Sequence, residues 1–224
     1  LYGPTSSRKH NLPSLTAGVS PAVISHVAST FLNIHPAVIV SGLLETPSFP
    51  YIQIESSPQG PANCLSTGKA MDLNRVESLW RRGFEIGERL VNPLLLAECV
   101  PGGTTTAQAV LTGLGIDVAD LISGSALNPP RSIKHNLIKR GLNASGLGVN
   151  PSAKALISAV GDPFQPVAAG LLLGARFAGQ QVLLGGGSQM LAVLALALSE
   201  MKATLRPGFL EGVAIATTAW LVEE

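Results

Sequence analysis

The chain has 224 residues, of which 46% are hydrophobic, 13% charged and 4% aromatic. It is too apolar for a disordered protein and long enough to bury one large core, and a formal net charge of +1 without a basic cluster argues against a nucleic-acid-binding surface. With so few aromatic residues, the core must consist of aliphatic side chains packed closely against glycine, which is typical of helices laid on a sheet.

Short apolar runs alternate with longer amphipathic segments along the chain. Ser20 and Pro21 form a cap and first-turn pair for the first helix, and Asp72 caps the second, on which Arg75 is predicted to face water. Helices are predicted at residues 21–32, 72–91, 104–114, 129–142, 163–178 and 188–201, and strands at residues 36–41, 51–54, 94–100, 181–184 and 213–217. Strands separated by helices indicate an α/β fold, a Rossmann-like, three-layer arrangement of a parallel sheet with helices on both faces.

Apolar segments and cysteines indicate a soluble, cytoplasmic protein. Residues 177–199 carry no charge and are long enough to cross a membrane, but GQQ and GGGSQ interrupt them, so we expect a strand, a turn and a buried helix there. Cys64 and Cys99 lack metal-ligand spacing and are expected to be free thiols in a reducing compartment. Because GQQ and GGGSQ interrupt the apolar segment, no contact with membranes is expected. The low charged fraction leaves little polar surface, which predicts a homodimer.

The segment ECVPGGTTTA, residues 98–107, directly follows the apolar run LLLA. Ligands of open parallel sheets bind beyond the C-terminal ends of strands, where loops lead into helices. Gly102 and Gly103 let backbone amides turn inward, and the helix that follows adds the positive end of its dipole, which together suit a phosphate. Further hydrogen-bond donors are the hydroxyls of Thr104, Thr105 and Thr106. A tight strand-to-helix turn with Thr104 as N-cap also explains these residues without a ligand.

Glu98 stands near the end of a predicted buried strand, where desolvation penalises a charged carboxylate. It either pairs with an arginine or binds ribose hydroxyls or an incoming base beside the phosphate. Because two negative groups that close repel each other, a cation is expected nearby. Lys134, in the first turns of the predicted helix at residues 129–142, is a candidate, although most lysines on helices are simply solvated.

Taken together, several segments resemble a known family. They are LTAGVSPAVISHVAS (15–29), ECVPGGTTTA (98–107), SALNPPRSIK (125–134), GDPFQPVAAGLLLGA (161–175) and VLLGGGSQMLAVLALAL (182–198). Over nearly its whole length, the chain resembles the family related to nicotinate-nucleotide:dimethylbenzimidazole phosphoribosyltransferase, in its cyanobacterial and archaeal branch. The resemblance implies transfer of phosphoribose from nicotinate mononucleotide to a benzimidazole-type or purine base during assembly of a cobamide lower ligand, with release of nicotinate.

The resemblance also implies roles for individual residues. Glu98 matches the acidic residue that opens the family's glycine-threonine motif, and it is the implied catalytic residue. Lys134 is similar in placement to a lysine that meets the nucleotide phosphate. The implied substrate-binding turn consists of Gly102, Gly103, Thr104 and Thr105, with Thr106 beside them.

A second glycine turn is implied to lie near the nucleotide. It consists of Gly185, Gly186 and Gly187. The better-studied bacterial enzymes resemble this turn but carry an acidic residue where Gly185 stands. Close packing between a strand and a helix explains the three glycines equally well.

Family members place their general-base glutamate in a glycine-rich C-terminal segment that this chain does not reach, and they extend further at the N-terminus. We therefore expect residues 1–224 to form a single nucleotide-binding α/β domain that binds nicotinate mononucleotide but turns it over poorly. The chemistry requires no metal or cofactor. Two other classes fit the same site: a nucleotide-binding or regulatory protein that retains the phosphate site without catalysis, and a different enzyme of nucleotide or sugar-phosphate metabolism.

Overall fold

The computed structural model describes residues 21–119, 121–122, 130–219 and 222. Two compact units divide the chain, and the described part of the first comprises residues 21–39 and 47–52. It contains helix α1 (Pro21–Phe31), which exposes the apolar side chains of Ile24, Val27 and Phe31. The second unit takes in residues 40–46 and the described residues from 53 onward. A single domain over residues 1–224 stays a prediction.

The second unit contains seven of the helices. They are α2 (Leu73–Gly87), α3 (Gly103–Gly113), α4 (Arg131–Ser145), α5 (Ala153–Val160), α6 (Phe164–Phe177), α7 (Ser188–Ser199) and α8 (Arg206–Leu210). Short 3₁₀ turns occupy Leu65–Thr67 and Ala203–Leu205. Within the described ranges, every helix is too short or too polar to cross a bilayer.

Strands β1 (Ile39–Val40) and β2 (Ile52–Gln53) form a small two-stranded sheet. Three further strands form a parallel sheet in the order β3 (Leu94–Ala97), β4 (Val182–Gly185) and β5 (Val213–Ala216). Helices lie around this sheet, and α7 packs against both α3 and α6. The predicted parallel α/β fold is thereby confirmed.

The two faces of the parallel sheet differ in burial. Val182 and Leu184 of β4 point into the core and are 2% and 0% exposed. On the opposite face, Leu95 and Leu183 retain 54% and 37% exposure. The described residues therefore cover one face of the sheet more completely than the other. The sequence predicted helices on both faces.

Most predicted elements are present, with shifted ends. The prediction at 94–100 is too long, because β3 ends at Ala97 and the next residues turn toward α3. Helix α5 was not predicted, although Ser152 caps it by accepting a hydrogen bond from the Ala155 amide at 3.3 Å. Of the predicted helix starts, Ser20 and Pro129 lie outside the described residues.

Helices α2 and α6 approach until their backbones touch. The contact is lined by Gly83 and Gly87 of α2 and by Gly170 and Gly174 of α6. A Cβ at any of these positions would overlap a backbone oxygen of the opposite helix. Glycine is therefore required here by close packing, which agrees with the expectation of helices packed against glycine.

The prediction that Arg75 faces water is wrong. Its Nε lies 2.7 Å from Glu55 Oε1, and each of the two side chains is 8% exposed. Arg75 also donates to the carbonyl of Gly60 at 2.7 Å, and Glu55 accepts from the Gly42 amide at 3.2 Å. This buried pair holds the segment that precedes α2 against that helix, because a buried charge must be paired and hydrogen-bonded.

Candidate active site

The chain leaves β3 and enters α3 through a glycine turn with two different sides. Gly102 has φ +74°, a left-handed conformation that favours glycine, and a Cβ there would have no other atom within 4 Å. A Cβ on Gly103, in contrast, would lie 2.8 Å from Gln189 Nε2 and 3.2 Å from Val100 Cβ. The turn therefore has free space beside Gly102, whereas Gly103 packs against Gln189 and Val100.

The threonines of this turn have different environments. The Thr105 amide donates to the Gly102 carbonyl at 2.9 Å, which tightens the first turn of α3. The Thr104 hydroxyl accepts a hydrogen bond from the Lys134 ammonium at 2.9 Å. The Thr106 hydroxyl is directed inward, toward the carboxylate of Asp162 and the Gly103 carbonyl. Thr104 and Thr106 thus link the turn to two other parts of the chain.

Glu98 is exposed and directly follows β3. Its Oε2 accepts a hydrogen bond from the Val100 amide at 2.6 Å, which fixes the carboxylate against the turn. Although the side chain reaches solvent, the surrounding protein removes part of its hydration, and this desolvation raises the pKa of Glu98. The Val100 hydrogen bond opposes the shift, and the negative charge of Asp162 adds to it.

Lys134 lies in the first turn of α4 and is 7% exposed. Its ammonium meets the Thr104 hydroxyl at the start of α3. Burial lowers the pKa of Lys134, because desolvation disfavours the charged amine. The lysine is thus buried, with its ammonium near the positive end of the α3 dipole. It is not the solvated surface lysine that its position on a helix alone would suggest.

The second glycine turn lies beside the first. Gly185 is in register with Ala97 of β3, the residue before Glu98, and with Ala216 of β5. The Gly186 amide donates to the Ala216 carbonyl at 2.9 Å, and the Gly187 carbonyl accepts from the Met190 amide at 2.9 Å in the first turn of α7. A Cβ on Gly185 would meet its nearest neighbour at 3.6 Å, which is ordinary contact, so packing does not require glycine there.

Asp162 is a buried carboxylate that sequence analysis missed. It is 5% exposed, and Oδ1 accepts from the amides of Phe164 at 3.0 Å and Gln165 at 3.2 Å. Oδ2 accepts from Gln189 Nε2 at 2.7 Å and from the Thr106 hydroxyl. Burial raises the pKa of Asp162, and these four hydrogen bonds oppose the rise.

A sequence signal existed for part of this arrangement. Asp before Pro163 at a helix start is a familiar cap, and the cap hydrogen bonds to Phe164 and Gln165 are present. The contacts of Asp162 with Thr106 and Gln189 join residues 56 and 27 positions away along the chain, and no local pattern indicates them.

The site residues expected from the sequence lie together at the C-terminal edge of the parallel sheet. Glu98 and the first glycine turn follow β3, and the second glycine turn follows β4. Lys134 joins them from α4 through its hydrogen bond to Thr104. Within the described part of the chain, His, Cys, Asp and Glu side chains form no group that could hold a metal ion. The arrangement places a cation and hydroxyl groups next to a carboxylate.

Comparisons with known proteins show the family and the fold of this chain. A family model described as phosphoribosyltransferase matches residues 19–210. A UPF0284 protein of Prochlorococcus marinus strain MIT 9313 is 58% identical over all 224 residues, which cover 56% of that relative. The chain therefore spans a little over half the length of this relative.

Two crystal structures from Thermus thermophilus share the fold. One, of CobT, superposes with a TM-score of 0.67 at 22% identity and covers 84% of this chain and 56% of its own. The other, of a nicotinate-nucleotide-dimethylbenzimidazole phosphoribosyltransferase, gives 0.68 at 21% identity and covers 87% and 60%. At this level of identity the likeness concerns the fold.

Proposed function

This chain belongs to the phosphoribosyltransferase family, and on that premise we propose that it binds nicotinate mononucleotide and donates the phosphoribosyl group to a benzimidazole-type or purine base. The product would be the nucleotide that forms the lower ligand of a cobamide. The observation that supports this most strongly is the meeting of a buried lysine, a glycine-threonine turn and a carboxylate at one sheet edge. One of the proteins that share the fold carries that activity in its name.

The 5′-phosphate would bind beside Lys134 and the start of α3, which a hydrogen bond to Thr104 holds together. The ammonium carries a positive charge and the amino end of the helix a partial one, so both would attract the phosphate. The open side of the turn at Gly102 leaves space for such a group, and Thr104 and Thr105 would donate hydroxyls to it. Thr106 would contribute indirectly, because its hydroxyl donates a hydrogen bond to Asp162 and so holds the turn in place.

Glu98 would lie beside the ribose. Loss of nicotinate from C1 builds positive charge on the sugar ring, and a nearby carboxylate stabilises that charge electrostatically. The Val100 amide fixes Oε2, so the carboxylate is already oriented before the substrate binds. The second glycine turn at Gly185–Gly187 would approach the nucleotide from the adjacent strand, because Gly185 is in register with Ala97.

Calorimetry and product analysis on the full-length protein test this function. We expect nicotinate mononucleotide to bind, and nicotinate riboside, which lacks the phosphate, to bind about 10²-fold more weakly, as expected for loss of a buried charge pair. Nicotinate should be released only when dimethylbenzimidazole, adenine or a related base is added. Binding without release would favour a regulatory nucleotide-binding protein, and failure to bind the mononucleotide would contradict the proposal.

We also propose a homodimer. The charged fraction of 13% is low, and the apolar side chains of Ile24, Val27 and Phe31 on α1 are exposed. Sedimentation velocity at micromolar concentration should show twice the monomer mass. A single monomeric species under these conditions would contradict the proposed assembly.

A further inference from the structure

The hydrogen bonds of Asp162 connect three segments that are far apart in the sequence. Thr106 belongs to α3 and follows the first glycine turn, whereas Gln189 belongs to α7 and follows the second. Asp162 itself precedes α6 and caps it. Its carboxylate accepts from both Thr106 and Gln189, so one buried group holds the starts of all three helices.

The four groups that surround the carboxylate are all donors. Two are the backbone amides of Phe164 and Gln165, one is the Gln189 amide nitrogen, and one is the Thr106 hydroxyl. An ionised carboxylate accepts at both oxygens, and its lone pairs are satisfied by this set. Among the described residues, the ion pairs are Glu55–Arg75 and Arg82–Glu85, so Asp162 is held by hydrogen bonds and not by a cation.

Gln189 transmits the position of this carboxylate to the first glycine turn. A Cβ on Gly103 would lie only 2.8 Å from Gln189 Nε2. The backbone of the turn therefore packs directly against the side-chain amide of Gln189. The Gln189 Oε1 accepts from Gln165 Nε2 at 3.0 Å, which prevents the amide from rotating. A shift of Gln189 would therefore displace Gly103 and the proposed phosphate-binding turn.

We propose that Asp162 is a positioning residue that, through Thr106 and Gln189, locks the two glycine turns into one nucleotide-binding surface. This inference rests on the proposed function for the identity of the ligand, whereas the locking itself does not depend on it. Asp162 does not need to touch the substrate. Its effect passes through the two side chains that it holds.

The test is Asp162→Asn in the full-length protein. The amide has the same shape as the carboxylate, but its NH₂ group must face a donor in either orientation: the Phe164 and Gln165 amides at one position, or the Gln189 amide nitrogen at the other. We expect amide hydrogen exchange at residues 102–106 and 186–190 to accelerate about tenfold or more, since hydrogen bonds to charged groups contribute that much. Exchange in α2 should not change. Asp117→Asn, on an exposed loop, is the matched control and should leave all of these rates unaltered.

Two further variants separate positioning from general stability. Thr106→Val removes only one donor and should give the same pattern at smaller amplitude. The double variant Asp162→Asn/Gln189→Glu restores a carboxylate-amide pair with the two partners exchanged, and it should return the exchange rates toward those of the unaltered protein. Acceleration that extends through α2, or no acceleration at either glycine turn, would overturn the proposal.

Nicotinate mononucleotide is the ligand probe. In Asp162→Asn its dissociation constant should rise about tenfold and should recover in the double variant. An unchanged dissociation constant would overturn the proposal. If the unaltered protein does not bind the nucleotide, the proposed function fails, and the exchange measurements still decide whether Asp162 locks the turns.

Discussion

Replacement of Glu98 by glutamine is expected to lower kcat and kcat/KM for phosphoribosyl transfer by about 10²-fold or more, while nicotinate mononucleotide still binds. The amide keeps the shape of the carboxylate but loses the charge that would stabilise the developing positive charge on the ribose. Its oxygen can still accept from the Val100 amide, so the turn stays in place. Steady-state kinetics and calorimetry on the full-length protein measure the two effects separately.

The pH dependence provides a second signature of Glu98. Desolvation raises its pKa, so the carboxylate is neutral over a wider acidic range than an ordinary glutamate. The rate should fall as the pH drops through this raised pKa, because protonation removes the stabilising charge. This acidic limb should be absent in Glu98→Gln. Glu77→Gln, an exposed position on α2, is the control and should preserve both rate and limb. Full turnover by Glu98→Gln would remove Glu98 from the reaction.

Replacement of Lys134 by methionine is expected to weaken nicotinate mononucleotide binding by about 10²-fold, because a buried cation that pairs with phosphate contributes several kcal/mol. The free energy of unfolding of the ligand-free protein should stay the same or rise. Lys134 is buried, and desolvation lowers its pKa, so the free protein bears a cost for keeping it charged. Methionine has a similar size and no charge, so the removal of this cost offsets the loss of the hydrogen bond to Thr104.

This combination of weaker binding and preserved stability distinguishes a ligand-binding lysine from a structural one. Thermal unfolding without and with the nucleotide measures both quantities on the same sample. Lys139→Met, an exposed position on the same helix, is the matched control and should change neither. A Lys134→Met protein that binds normally, or that unfolds at a much lower temperature, would contradict the assigned role.

Local chemistry was sufficient to predict much of this molecule. The parallel α/β fold follows from apolar runs separated by amphipathic segments, and the left-handed turn at Gly102 follows from the conformational freedom of glycine. Even the helix α5, which was not predicted, carried a local sign in the Ser152 cap. The cap of α2 at Asp72 was predicted, and its carboxylate accepts from the Asn74 amide at 2.8 Å.

Only the tertiary structure decided how individual polar side chains are used. Arg75 resembled a solvated helix residue, but it forms a buried pair with Glu55, 20 positions earlier. Lys134 resembled a solvated helix lysine, but its contact with Thr104 places it at the start of α3. Asp162 gained its importance from Thr106 and Gln189, which reach it from two other helices. The physical reason is that hydrophobic periodicity and turn chemistry act over a few residues, whereas the partner and the burial of a charge are fixed by chain segments that meet only after folding.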